Sequence, residues 1–269
     1  MSNAPGRSST TRTTAAVQNN PVEAMKLFMT KSVDLIKTEY CKINDTKDAT
    51  TEAAPEAQMT SHHKKTRNAG LYPPSKFSRV KLQADNELGG EQSDYINADF
   101  VYATGNMYHN KNIKASVDCI IIQAPMPTYL IYGDTHSDFW RMIYQFNVRI
   151  IVMVKPAKEP GQPPVQYWPL NAQDERTYVF QVPYTVYHCH YLKWRDCDVP
   201  DDIDSMINFI NEVQKYPNDS SVPKVIHCNS GVGRAGTYAL MEYCIKIYDE
   251  EKRLCDIEKT PTRILHNNV

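Results

Sequence analysis

The segment KVIHCNSGVGRAG, from Lys224 to Gly236, constrains this chain more than any other. A short apolar strand pattern, KVIH, runs into a loop rich in glycine. The loop passes directly into a helical pattern that extends from Arg234 to Tyr248. A buried strand feeding a helix through a tight loop is a building step of an open α/β sheet, and such sheets collect ligands at the carboxyl ends of their strands. The rest of the chain agrees. SDYINADFVYA reads as a strand with alternating faces, and Cys119–Ile122 and RIIVMV as short buried strands. VQYWP and YVFQV read as short edge strands, and TVYHCHYLKW as a longer one. Phe139, Met142, Ile143 and Phe146 share one side of a helix, as do Ile203, Met206, Ile207, Ile210 and Val213. The expected fold is α/β, a single domain with a twisted mixed sheet flanked by helices.

Composition narrows the function. The 269 residues suit one sizeable domain, and 41% hydrophobic residues supply a core. A formal net charge of -1 gives no global signal for nucleic acid. No apolar run is long enough for a membrane span, and the first residues, MSNAPGRSST, lack the apolar core of a signal peptide. The seven cysteines show no regular pairing distances and read as free thiols of a reducing, intracellular compartment, with cytoplasm as the expected location. Residues 1–20 read as a flexible tail and 21–269 as the folded domain, opened by a helical pattern from Val22 to Tyr40. Within it, 46–65 is polar and reads as a loose insertion. His62 and His63 read as surface residues, because no cysteine or carboxylate pattern completes a metal-ligand set.

The loop carries the chemistry. Gly231 and Gly233 let the backbone turn tightly, so that the amides of Asn229, Ser230, Gly231, Val232 and Gly233 can converge on an anion with the helix N-terminus behind them. The same field favours the thiolate of Cys228. Arg234 can curl over the cavity and offer two donors to phosphate oxygens. A thiolate at the floor of such a cradle is a nucleophile aimed at phosphorus. A buried structural cysteine beside a helix-capping glycine fits the same spacing.

IHCNSGVGRAGTY resembles the signature loop of the protein tyrosine phosphatases, in which histidine and cysteine precede five residues and an arginine. SDYINADFV, QAPMP with DFWRMIYQFNVRIIVMV, VQYWP and WRDCDVPDD resemble four further motifs of that family, in its order, over about residues 30–250. The likeness is to the non-receptor type, and in tone to the divergent members carried by insect-parasitoid viruses. It implies hydrolysis of phosphotyrosine in proteins, with no metal, no cofactor, no nucleic acid and no membrane. It makes Cys228 the nucleophile that takes the phosphoryl group, Arg234 the clamp on the equatorial oxygens, and Asp196 the general acid and later base. His227 keeps the thiolate poised, Trp194 is the hinge of the acid loop, and Ala69 or Tyr72 stands where an aromatic stacks on phosphotyrosine.

The sequence departs from the pattern at several points. Ala235 replaces the Ser or Thr whose hydroxyl assists release of phosphate from the cysteine. Arg195 replaces a proline in the acid loop, and Asp198 a permissive glycine. The stretch between Trp168 and Trp194 is short, and no glutamine matching the family's water-positioning loop follows the long helix, so the domain reads as abbreviated at its C-terminus. Three readings result: a slow tyrosine phosphatase, a phosphotyrosine-binding or substrate-trapping module without turnover, and a poorly folding copy. The trio Cys228, Arg234 and Asp196 favours the first. All of them that act on phosphotyrosine require a sulfur that the incoming phosphate can reach.

Overall fold

The computed structural model describes residues 74–75, 78–83, 94–101, 118–126, 135–161, 165–168, 184–219 and 221–251. The 1–20 tail, the 22–40 helical pattern, the 46–65 insertion, the pair His62 and His63, the YVFQV pattern and the segment after the long helix lie outside the described residues. By its contacts the chain falls into two compact units, 48–240 with 261–269 and 1–47 with 241–260. The sheet and the candidate site belong to the first.

Six strands form one sheet among the described residues: β1 Arg79–Lys81, β2 Tyr95–Val101, β3 Cys119–Ile122, β4 Ile150–Val154, β5 Tyr187–Tyr191 and β6 Lys224–His227. Their order is β1-β2-β3-β6-β4-β5. The β1–β2 and β2–β3 pairs are antiparallel, whereas β3–β6, β6–β4 and β4–β5 are parallel. The sheet is therefore mixed, as expected. The helices are α1 His136–Gln145, α2 Ile203–Gln214 and α3 Gly233–Glu251. None of the described helices is long and apolar enough to cross a membrane.

Apolar periodicity explains why these elements form. All five residues of β4 and all four of β3 are buried, as a parallel sheet covered on both faces requires. Ile120, Ile122, Ile151, Met153 and Val225 join Phe139, Met142 and Ile143 of α1 in one core cluster. Each of these α1 side chains contributes about 1.5–3 kcal/mol by leaving water. Asn147 then stops the chain after α1 by taking a left-handed φ of 53°. At the start of α2, Asp202 caps the helix by accepting from the Asp204 amide at 3.0 Å.

Two strand expectations change. Val165–Trp168 is not a strand; prolines before and after it in the sequence remove ladder donors. In β2 the alternation does not divide core from solvent, since every residue but half-buried Phe100 is buried. Its polar positions are instead satisfied inside. Asn97 Nδ2 donates to Gln123 Oε1 at 3.1 Å, and Asp99 Oδ1 accepts from Ser78 Oγ at 2.9 Å. Strand β1, three residues set among charges, has too short an apolar pattern to be read from sequence.

Candidate active site

β6 lies between two parallel neighbours, so its carboxyl end opens at the middle of the sheet. His227 pairs with Ile122 of β3 and Met153 of β4. Cys228 follows, and the chain turns through Asn229–Val232 into α3. Asn229 O accepts from the Ala124 amide at 2.9 Å, which ties the loop to the end of β3. Gly231 takes a φ of +77°, and a Cβ there would lie 2.5 Å from Ile122 C and 2.6 Å from Gln123 N. No other residue fits. Gly233 differs from the sequence expectation: it has no positive φ, and a Cβ there would meet nothing, so Gly231 alone carries the turn. The Val232 amide points at Ser230 Oγ, 3.4 Å away.

His227 is fully buried, and its two nitrogens are engaged. Nδ1 lies 3.1 Å from Cys228 O, and Nε2 lies 2.6 Å from Tyr167 Oη. A carbonyl only accepts, so Nδ1 carries the proton. The other contact is shared by Nε2 and the Tyr167 hydroxyl, whose oxygen also lies 2.9 Å from His188 Nε2. Burial, helped by the charge of His190, holds His188 down to about 4, which keeps it neutral near pH 7. Burial likewise raises Tyr167 well above its ordinary value, so the hydroxyl keeps its proton. Sequence reading found His227 but missed Tyr167 and His188, which lie inside segments read only as strands.

Arg234 is 5% exposed. Its Nη1 donates to Trp194 O at 3.0 Å and to Glu159 Oε1, and its Nη2 reaches Glu159 Oε2 at 3.3 Å. Nη2 also lies 3.0 Å from Asp196 Oδ1. Burial opposes the guanidinium charge. The hydrogen bonds of Glu159 and the charges of Cys228, Glu159 and Asp196 outweigh burial and hold its pKa above the ordinary value. Trp194, 2% exposed, anchors the Trp194–Asp198 loop from inside, because its Nε1 also donates to Asp198 O at 2.7 Å. The left-handed position of that loop is Cys197, with a φ of 55°, and not Asp198. Arg195 points outward, 75% exposed and 3.9 Å from Asp201.

Glu159 was invisible in the sequence, where it is one acidic residue in a proline-rich turn after β4. It is 5% exposed, with Lys155 Nζ 3.0 Å from Oε2. Burial pushes its carboxyl up, but hydrogen bonds from Arg234 and Lys155 more than reverse this and hold it below the usual range.

The structure thus brings Cys228, Arg234, Asp196, Trp194 and His227 together. Ala69 and Tyr72 lie outside the described residues. One expectation is not met: Cys228 is only 2% exposed. The group electrostatically coupled to it is Arg234, whose second nitrogen is held by Asp196. In this arrangement the sulfur is closed to solvent, and Asp196, the carboxylate paired with Arg234, has half of its side chain exposed. The described cysteines, Cys119, Cys189, Cys197, Cys228 and Cys244, form no disulfide with one another.

The chain matches the model of the family described as protein-tyrosine phosphatase over residues 62–182 and 179–267. It is 30% identical over 251 residues to human tyrosine-protein phosphatase non-receptor type 12, covering 82% of this chain and 30% of that protein. It is 29% identical over 210 residues to rat tyrosine-protein phosphatase non-receptor type 2, covering 66% of this chain and 45% of that protein. The chain therefore spans less than half the length of these two relatives. The crystal structure of the catalytic domain of human protein tyrosine phosphatase non-receptor type 18 superposes with a TM-score of 0.65 at 21% identity, over 87% of this chain and 95% of that one. A structure of PTPN18 in complex with HER2 phosphopeptides gives a TM-score of 0.69 at 20% identity, over 91% and 88%. These structures share the fold, and the sequence matches carry the descent: the chain belongs to the protein-tyrosine phosphatase family, among its non-receptor type.

Proposed function

We propose that the chain hydrolyses phosphotyrosine in proteins, slowly, through a cysteinyl-phosphate intermediate on Cys228. The observation that supports this best is the contact of Asp196 Oδ1 with Arg234 Nη2 at 3.0 Å, which gathers acid, clamp and nucleophile at the end of one strand. The incoming phosphate competes with Asp196 for Nη2. As it wins, the acid loop carries the carboxyl toward the phenolic oxygen and uncovers the sulfur. The Cys228 thiolate then attacks phosphorus. The S–P bond forms as the P–O bond to tyrosine breaks, and Asp196, which takes up a proton from solvent once it has left Arg234, gives that proton to the departing oxygen. In the second half Asp196 takes a proton from water, the water oxygen attacks phosphorus, and the thiolate leaves. Arg234 stabilises the charge spread over the equatorial oxygens in both steps. The general acid supplies roughly 10²–10⁴ in rate. This scheme draws its positive charge from arginine and calls on no metal, so a chelator leaves activity unchanged.

A second reading is a phosphotyrosine-binding module that traps its ligand. Ala235 favours it: the residue is fully buried directly after Arg234 and offers a methyl group where a hydroxyl would assist the thiolate as leaving group. The substrate class in either reading is tyrosine-phosphorylated protein, the kind of ligand named for PTPN18. We place the protein inside a cell, in the cytoplasm, in keeping with the non-receptor relatives, and in a host cell if its likeness to viral members holds.

The test is phosphate release from a phosphotyrosyl peptide by wild type, Cys228→Ser and Asp196→Ala. Slow release by wild type, none by Cys228→Ser and an intermediate loss for Asp196→Ala support the enzyme. Release by wild type no faster than by Cys228→Ser, with peptide still bound, supports the trap.

A further inference from the structure

Lys155 is a charged residue with no part in the scheme above, and it is fully buried. It follows β4 directly, at the same carboxyl edge of the sheet where parallel β6 ends. Its Nζ lies 3.0 Å from Glu159 Oε2, the oxygen that also receives Arg234 Nη2 at 3.3 Å. One carboxylate therefore serves two cations. His190 Nε2 lies 2.7 Å from Lys155 O and fixes the backbone from which the lysine side chain leaves. The charged and titratable groups around this cluster are Lys155, Glu159, Arg234, Asp196, Cys228 and His190.

A buried ion pair that served only to hold Arg234 would need one cation and one anion. With Glu159 alone, the arginine charge is neutralised before phosphate arrives, and the site is a poor anion receptor. With Lys155 added, the buried set Lys155, Glu159 and Arg234 keeps one net positive charge, set against the Cys228 thiolate and the arriving phosphate. Asp196, which is half exposed and able to depart, is the carboxylate that masks this charge until an anion replaces it. We propose that Lys155 is a positioning residue for anion binding: by sharing Glu159 it leaves Arg234 with charge to spare for the phosphoryl group. The inference rests on the reading of the Cys228 loop as a phosphate site, and not on turnover.

The test measures inorganic phosphate binding without requiring catalysis. The 269-residue chain is treated with iodoacetate over a range of phosphate concentrations, and alkylation of Cys228 is followed by peptide mass spectrometry. Lys155→Met and Lys155→Gln remove the charge, Lys155→Arg keeps it, and thermal melting reports the fold. The neutral variants should need roughly tenfold more phosphate for half protection, the weight of one poorly screened charge at short range. Lys155→Arg should stay near wild type. Should Lys155→Met not fold, Lys155→Gln carries the comparison. Equal protection midpoints in wild type and a folded neutral variant overturn the role of Lys155 and leave the proposed function standing. If phosphate fails to protect Cys228 in wild type, the anion site itself is wrong and both proposals fall.

Discussion

Replacing Gly231 by alanine tests the geometry of the Cys228 loop through a single methyl group. The added carbon would sit 2.5 Å from Ile122 C, 2.6 Å from Gln123 N and 2.7 Å from Ile122 O. These are backbone atoms at the end of β3, which β2 and β6 hold on both sides, so no flexible side chain can yield. A left-handed φ of +77° adds about 1–2 kcal/mol for a residue with a Cβ. Forced overlap in a packed region adds about 1–3 kcal/mol. The sum, roughly 2–5 kcal/mol, is a large fraction of the about 5–15 kcal/mol that holds a domain folded. For a chain of this size it lowers the melting temperature by roughly 5–15 °C. The loop can escape the overlap only by lifting away from β3, which breaks the Ala124 to Asn229 hydrogen bond and spoils the cradle. Gly231→Ala should therefore melt early, or lose phosphate protection of Cys228, or both. Gly233→Ala is the control: a Cβ there meets nothing, and the change should leave stability within about 1 kcal/mol, on the favourable side. A Gly231→Ala protein with wild-type melting and wild-type phosphate protection would show that the loop does not press on β3.

Three further outcomes are expected. Asp196→Ala removes both the proposed general acid and the carboxylate that pairs with Arg234, so it should slow phosphate release by roughly 10²-fold or more while binding phosphopeptide more tightly, read by pull-down and single-turnover assay; weaker binding would argue against the competition for Nη2. Ala235→Ser should speed breakdown of the cysteinyl-phosphate, seen as a higher steady-state rate with an unchanged burst, and a rate that stays flat would show that this step is not limiting. His188 binds a proton near 6.5 in the unfolded chain and near 4 in the folded one, so folding stability is fully present above about pH 6.5 and falls as pH drops toward 4, by at most roughly 3 kcal/mol. His188→Phe should flatten that slope in melting curves, whereas an unchanged slope would locate the acid sensitivity elsewhere.

How much was legible in the sequence depended on whether a residue's role was local. The βα step at Lys224–Gly236 could be read because strand, turn and helix are contiguous, and Cys228, Arg234 and His227 came with it. The helices α1 and α2 announced themselves through spaced apolar residues. What stayed hidden was assembled across the sheet. Glu159 lies 75 positions from Arg234, and Tyr167 lies 60 from His227, with no local pattern to link either pair. The left-handed backbone position at Cys197 was not legible either, because a cysteine beside the aligned glycine position of Asp198 carries no signal for a positive φ. Burial of the thiol was also beyond reach, since it depends on which side chains fold over the cavity.

The placement of β6 has a consequence for how the protein comes into being. Its partners β3 and β4 are synthesised long before it, and each must wait with one row of amide and carbonyl groups unmatched. The strand that leads into Cys228 is thus the last of the three to arrive, a wedge between two older edges. Until then the nascent chain lacks both the joined sheet and the strand end on which the Cys228 loop is mounted.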